Sequence, residues 1–230
     1  GRTISDDDLR ASIARYNDNR QAIGELWELR NAAPWRALAT ESYLILYAGC
    51  LLPVEEHTKL VRNYVAAVKE ADRPMRDNAR VLLTGAFCEQ PPLGLIRTLE
   101  MAGCYIVWDD MSIGRRWLEQ DVVLTGDPIE ALSDAFLQHS ITTAVKYEPT
   151  IDRTIPLRRL VEGSRAEGVV FAAPSFCDPA LLEQPMLTQA LDRAGVPWTA
   201  FKYSENLGQF QVIREQAGTF ADSIKLWSES

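Results

Sequence analysis

The sequence lacks the motifs of several large enzyme classes. It contains two histidines, His57 and His139, which are too far apart in the chain to form a helical metal-binding pair. No G-x-G-x-x-G run follows a predicted strand, and neither G-x-x-x-x-G-K-[ST] nor G-x-S-x-G occurs. These absences argue against a nicotinamide dehydrogenase, a P-loop ATPase, a zinc hydrolase and a serine hydrolase.

Cysteine is scarce, and its spacing is uninformative about metal binding. The chain has four cysteines, and no two of them stand in a C-x-x-C pair: Cys50, Cys88, Cys104 and Cys177. This pattern gives neither a zinc signature nor the framework of a small disulfide-stabilised protein. We therefore expect a reducing, cytoplasmic setting.

Long apolar runs and an excess of basic residues are also missing. No stretch approaches the roughly 20 apolar residues of a membrane helix. The formal net charge is -8, whereas nucleic acids and anionic membranes attract basic surfaces. We expect neither nucleic acid nor a membrane as a partner.

The first third of the chain has the pattern of a helical region. Ser5 precedes three aspartates, which is typical of a helix N-terminus, and apolar residues then recur at helical spacing to about Asn31. Two more helices are predicted, around residues 43–52 and 54–71, with His57 on the surface of the third. Residues 1–73 thus form a helical region, and residues 74–230 form a second domain. Because the chain opens with Gly1 and Arg2 rather than Met, we expect it to be a piece of a longer polypeptide.

From Arg80 onward, short apolar runs alternate with helical patterns. The predicted strands are 81–84, 105–108, 169–172 and 198–201, and the predicted helices are 93–101, 155–164, 180–194 and 208–227, with broken helical pieces over 117–139. This alternation is typical of an α/β fold with a doubly wound parallel four-stranded sheet. The ordinary strand order for such a sheet is 2-1-3-4.

Polar and thiol side chains follow each predicted strand. Cys177 lies at a corner between the third strand and a helix that starts near Pro179, where backbone amides favour a thiolate or an anionic ligand. The alternative for Cys177 is a half-buried structural thiol, and Cys50 and Cys104 are also expected to be structural thiols. Strand order 2-1-3-4 would bring the Cys88 and Cys177 loops into one crevice. Taken singly, Asp109, Asp110 and Asp178 are more typical of helix caps, and Asp178 is predicted to cap the helix after Cys177.

Several runs together resemble a known family. They are GAFCEQPP (85–92), GCYIVWDD (103–110) with GRR (114–116), FCDP (176–179), and Glu205, Asn206, Gln209 and Arg214, with Tyr16, Asn17 and Arg20 in the opening helix. The chain resembles the carboxyl-terminal part of an iron-sulfur subunit of benzoyl-CoA reductase, an enzyme grouped with the 2-hydroxyacyl-CoA dehydratases. The prolines after Gln90 and the ending FADSIKLW (220–227) favour the reductase.

The resemblance implies a cofactor and partners. In this family each of the catalytic subunits holds a four-iron, four-sulfur cluster on three cysteines, two of them in an amino-terminal region and the third in the Phe-Cys-Asp loop. Cys177 matches the third cysteine, and the earlier two have no match here, so we expect this chain alone to be folded, iron-free and inactive. The implied partners are a second iron-sulfur catalytic subunit, ATP-hydrolysing activator subunits, ferredoxin and an acyl-CoA substrate.

The implied reaction is reduction of the aromatic ring of benzoyl-CoA to a cyclic diene. Glu89, Asp109 and Tyr203 are candidate proton sources near the crevice, and Cys88 is a candidate neighbour of the cluster. Two alternatives remain open. The chain could belong to a 2-hydroxyacyl-CoA dehydratase, or to a non-catalytic assembly paralogue that keeps the fold.

Overall fold

The computed structural model describes residues 3–85, 90–113, 118–141, 152–204 and 210–228. The helices are α1 Asp6–Ala32, α2 Ala39–Ala48, α3 Val54–Glu70, α4 Leu93–Met101, α5 Pro128–Gln138, α6 Thr154–Ser164, α7 Asp178–Ala194 and α8 Phe210–Ser228. The strands are β1 Ala79–Thr84, β2 Cys104–Asp109, β3 Gly168–Pro174 and β4 Trp198–Tyr203. None of the helices in these ranges combines the length and apolarity of a membrane span.

Helix α1 begins at the predicted cap. The Ser5 hydroxyl accepts a hydrogen bond from the Asp8 amide at 3.1 Å, and the Asp8 carboxylate accepts one from the Ser5 amide at 3.3 Å. These reciprocal bonds form a capping box, which satisfies two amides that the helix itself leaves unpaired. The apolar face of α1 then packs mainly on α3, around Leu26, Trp27 and Val61.

His57 is buried, so its prediction as a surface residue was wrong. Its ring lies between α1 and α2, where Nδ1 accepts from the Asn19 side-chain amide at 2.9 Å and Nε2 donates to the Ile45 carbonyl at 3.0 Å. This pattern fits the neutral ring with its proton on Nε2. Gly49 is required beside it, because a Cβ there would lie 2.7 Å from Cε1 of the ring. Helical spacing of α3 alone does not reveal that α1 and α2 cover this position.

The sheet confirms the predicted class and order. All neighbouring strands are parallel, in the order β2-β1-β3-β4. One face packs against α4 and α8 around Leu83, Leu95 and Ala217, and the other packs against α6 and α7 around Leu82 and Leu187. The helices therefore cover both faces, as expected for a doubly wound fold. The domain boundary at residue 73 stays a prediction.

One helical prediction was wrong. Residues 118–127, predicted as part of broken helical pieces, are irregular. The Asn17 side chain of α1 accepts from the Val122 amide at 2.9 Å and donates to its carbonyl at 2.8 Å. Val122 is buried beside Ile13 and Ala135. A distant amide side chain thus supplies the backbone hydrogen bonds that a helix would have supplied.

We expect Ser5→Ala to lower the free energy of unfolding by about 1 kcal/mol, because the N-cap acceptor is lost. Chemical denaturation of the two proteins measures the difference. Ser133→Ala is the matched control, since Ser133 is an exposed residue inside α5 and alanine has the higher helix propensity. Equal losses in the two variants would contradict a capping role.

The free energy of unfolding should also decrease at low pH because of the buried His57. Burial lowers the pKa of His57 below its ordinary value of 6.5. The unfolded chain therefore binds a proton at His57 more tightly than the folded protein does. The contribution of neutral His57 to the free energy of unfolding is fully present above pH 6.5 and is lost as the pH falls below 6.5. The loss is at most about 1.4 kcal/mol per pH unit. Denaturation between pH 5.5 and 7.5 should show this slope, His57→Gln should remove it, and His139→Gln should retain it.

Candidate functional site

The carboxyl ends of the four strands meet at one edge of the sheet, here called the carboxyl edge. It is formed by the ends of β1, β2, β3 and β4 at Thr84, Asp109, Pro174 and Tyr203. Open α/β sheets bind ligands at this edge, at the point where the strand order reverses. In this sheet the reversal lies between β1 and β3, next to the loop that carries Cys177.

Cys177 is buried at the corner between β3 and α7. Its side chain packs among Ala173, Ala180 and Leu181. Its amide donates to the Pro174 carbonyl at 3.0 Å, which closes a tight turn after the strand. The residue lies directly before the first turn of α7, where helix amides favour negative charge. The corner therefore places the Cys177 thiol beside the amino end of α7.

Asp178 does not cap α7, so that prediction was wrong. The helix begins at Asp178 itself, the cap position is Cys177, and no side-chain capping bond forms there. Asp178 is instead an acidic residue in the first turn, followed by Pro179. A carboxylate there still interacts favourably with the helix dipole.

Asp109 lies in a buried ion pair with the helical region. Its Oδ2 accepts from Arg30 of α1 at 2.5 Å, its Oδ1 accepts from the Met111 amide at 3.2 Å, and both charged side chains are only 3% exposed. The Arg30 guanidinium also lies 3.8 Å from the centre of the Trp27 ring. Burial raises the pKa of Asp109, while Arg30 and the Met111 amide act in the opposite direction. Both oxygens are engaged, so this geometry favours a structural role over the predicted role as a proton source, which stays a prediction.

A neighbouring carboxylate ties β2 to β1. Asp110 follows β2 and is buried, and its side chain accepts from the Thr84 hydroxyl at 2.9 Å and the Gly85 amide at 3.3 Å. Thr84 ends β1, and the segment that follows it leads toward Cys88. Asp110 therefore fixes the start of that segment at the carboxyl edge.

A second ion pair at this edge was missed by the sequence reasoning. Nη2 of Arg153, at the start of α6, lies 3.0 Å from each carboxylate oxygen of Glu183 in α7, and both side chains are largely buried. Burial raises the pKa of Glu183, Arg153 lowers it, and the charge of Asp110 raises it. No local pattern links residues 153 and 183, because only the packing of α6 on α7 brings them together.

Tyr203 positions the Cys177 loop through its backbone. Its carbonyl accepts from both the amide and the hydroxyl of Ser175, each at 2.9 Å. Its ring is buried in the core on the α4 and α8 face. Tyr203 stays a predicted proton source. Cys88 and Glu89 lie outside the described residues, so their predicted places in the crevice remain predictions, although the strand order behind the shared crevice is confirmed.

The described residues contribute one thiol to this edge. Cys50 is exposed in the helical region, and Cys104 is buried at the start of β2, at the opposite edge, where burial raises the pKa of its thiol to about 12. Within the described ranges no three His, Cys, Asp or Glu side chains cluster closely enough to hold a metal ion. Cys177 is therefore the one described thiol at this edge, its role as a cluster ligand stays a prediction, and the described residues do not provide a complete ligand set.

We expect Arg30→Met to cost about 3 kcal/mol or more of unfolding free energy, because it leaves the buried Asp109 carboxylate unpaired. The double variant Arg30→Met/Asp109→Leu should cost less than Arg30→Met alone. Arg62→Met is the matched control: it breaks an exposed pair with Asp18 and should cost about 1 kcal/mol or less. Urea denaturation measures all three, and equal costs for Arg30→Met and Arg62→Met would contradict a buried, mutually dependent pair.

Comparisons with known proteins point to one family. The model for the 2-hydroxyglutaryl-CoA dehydratase D-component matches residues 1–224. A benzoyl-CoA reductase subunit of Thauera aromatica is 53% identical over 229 residues, which are 99% of this chain and 59% of that protein.

More distant relatives are dehydratase subunits. The (R)-phenyllactyl-CoA dehydratase beta subunit of Clostridium sporogenes is 21% identical over 224 residues, and the beta subunit of (R)-2-hydroxyglutaryl-CoA dehydratase of Acidaminococcus fermentans is 25% identical over 228 residues. Each match covers 97% of this chain and 59% of the relative, so the chain spans well under two thirds of these proteins. The family match extends over the helical region and the sheet alike, and the chain belongs to the 2-hydroxyglutaryl-CoA dehydratase D-component family.

Proposed function

We propose that this chain is part of a subunit of an iron-sulfur benzoyl-CoA reductase, an oxidoreductase of several subunits. In the proposed reaction the aromatic ring of benzoyl-CoA gains two electrons and two protons and becomes a cyclic diene. The observation that carries the proposal is the 53% identity to the benzoyl-CoA reductase subunit of Thauera aromatica, against 21% and 25% to the two dehydratase subunits. This difference favours the reductase over a dehydratase.

The proposed cofactor is a four-iron, four-sulfur cluster. Such clusters are held by cysteine thiolates, commonly four, and Cys177 fits one of these positions because it is buried at the start of a helix. We propose that the other cysteine ligands come from outside residues 1–230. When bound, the cluster would supply single electrons of very low potential.

The chain's own residues prepare this edge for such chemistry. Burial of Cys177 among apolar side chains excludes water, and the amino end of α7 lies directly beside it. The Ser175 bonds to Tyr203 hold the loop in place. Largely buried Glu183 has a raised pKa and lies at the same edge, so it joins Glu89, Asp109 and Tyr203 as a candidate to hold a proton.

We propose that this edge is covered by a second iron-sulfur subunit. Phe176 and Leu182, on either side of the first turn of α7, are 94% and 80% exposed. Exposed apolar side chains beside a site that must exclude water support a partner surface. ATP-hydrolysing activator subunits and ferredoxin as electron donor complete the proposed system, in the cytoplasm.

In the assembled complex we expect Cys177→Ser to lower bound iron and to abolish ring reduction, because a cluster ligand is lost. Cys88→Ser should leave the iron in place. Cys50→Ser is the control, since Cys50 is an exposed thiol of the helical region and should leave both iron and activity unchanged. Iron and acid-labile sulfide, measured beside product formation from benzoyl-CoA, report the two effects separately.

Two outcomes would contradict the proposal. If the complex converted a 2-hydroxyacyl-CoA and not benzoyl-CoA, the chain would belong to a dehydratase. If the complex bound no iron and acted on neither substrate, an assembly role would replace a catalytic one.

Electron paramagnetic resonance of residues 1–230 alone, after reconstitution and reduction, should show no stoichiometric four-iron signal.

A further inference from the structure

A pocket of about 420 Å³ lies at the amino edge of the sheet, opposite Cys177. This volume is within the range of small-molecule sites, about 300–1,000 Å³. Its walls come from the segment before α2, the segment between α3 and β1, the last turns of α4 and the start of β2. The pocket therefore lies between the helical region and the sheet, which is a common place for ligand sites.

The walls are held together by hydrogen bonds, so the pocket is preformed. Arg73 donates to the Arg36 carbonyl at 2.9 Å and to the Glu41 carboxylate at 2.7 Å. Across the pocket, the Arg76 amide donates to the Tyr105 hydroxyl at 2.9 Å. Each of these bonds joins the segment between α3 and β1 to another wall, and a ligand would meet a site that needs little ordering.

Both carboxylates of the pocket are already satisfied by the protein. Glu41 accepts from Arg73, and Glu100 accepts from the Ala39 amide at 2.6 Å and from the amide and hydroxyl of Thr40. The negative charges of Glu41 and Glu100 are therefore stabilised by hydrogen bonds from the protein itself. A bound anion would meet less repulsion than two carboxylates would otherwise exert.

Two arginines of the pocket remain available. Arg76 and Arg97 are exposed, and among the described residues neither forms an ion pair with a carboxylate. The rest of the lining is partly apolar, with Trp35, Leu38 and Met101. A pocket lined by an indole and by guanidinium groups suits a ligand that has a flat ring and an anionic group.

We propose that this pocket binds a ring-bearing organic anion, with its aromatic or heteroaromatic ring against Trp35 and its phosphate or carboxylate on Arg76 and Arg97. The site is separate from the chemistry proposed at the carboxyl edge and does not depend on it. Its occupant joins the helical region to the sheet, because residues of both line the pocket.

Isothermal titration of the chain with adenosine monophosphate and with benzoate tests the two sources of such an anion. At least one should bind saturably at one site, whereas inorganic phosphate and adenosine, which each carry half of the required chemistry, should bind at least tenfold more weakly. Arg76→Gln/Arg97→Gln and Trp35→Leu should each weaken binding about tenfold or more. Arg159→Gln, an exposed arginine on α6 outside the pocket, should leave binding unchanged.

Three results would overturn the proposal: no saturable binding of either ring-bearing anion, equal binding of inorganic phosphate, or unchanged affinity in the double arginine variant. Thermal unfolding of each variant checks that the fold is intact. If Trp35→Leu unfolds, the exposed single variants Arg76→Gln and Arg97→Gln still decide the outcome, and each should weaken binding on its own.

Discussion

The parallel pairing of β1 with β3 is the interaction on which the arrangement of this protein depends. It aligns Val81 with Gly168 and Thr84 with Phe171, so the chain segments that leave these two strands emerge side by side. The strands β2 and β4 pair with the outer sides of β1 and β3 and run in the same direction. The segment that follows each strand therefore begins at the same edge of the sheet. The Cys177 corner and the two buried carboxylates after Trp108 lie at the same edge of the sheet for this reason. The arginine-lined pocket lies at the other edge because it is built where strands begin.

Carboxylates connect the helical region to the rest of the fold at both edges of the sheet. At the carboxyl edge Arg30 of α1 pairs with Asp109, and at the amino edge Glu100 of α4 accepts from the first residues of α2. Removing two charges from water is costly, and an ion pair of this kind is stable only while both partners stay in place. The helices are thereby held in one orientation over the sheet, which a purely apolar contact would specify less tightly.

The same packing distinguishes the carboxyl groups at the carboxyl edge. Asp109 is engaged on both oxygens, Asp110 fixes the segment after β1, and Glu183 shares a largely buried pair with Arg153. Three acids at one edge thus have different partners and different burial, and such differences separate structural carboxyl groups from those that can exchange protons. Sequence position alone made Asp109 the attractive candidate, because it directly follows the predicted strand 105–108.

The sequence by itself determined the four strands, most of the helices and their order. Ser5 and three aspartates marked the start of α1, apolar runs marked the four strands, and alternation with helices implied a parallel sheet, since each of these signals is local in the chain. The resemblance of short runs such as FCDP identified the family and singled out Cys177. Tertiary structure alone decided the rest: that His57 is buried beneath Asn19, that Asn17 holds residues 118–127 out of a helix, and that Arg153 meets Glu183. These contacts join residues 30 to 105 positions apart, and their energies come from burial and hydrogen bonding that exist only once the helices pack.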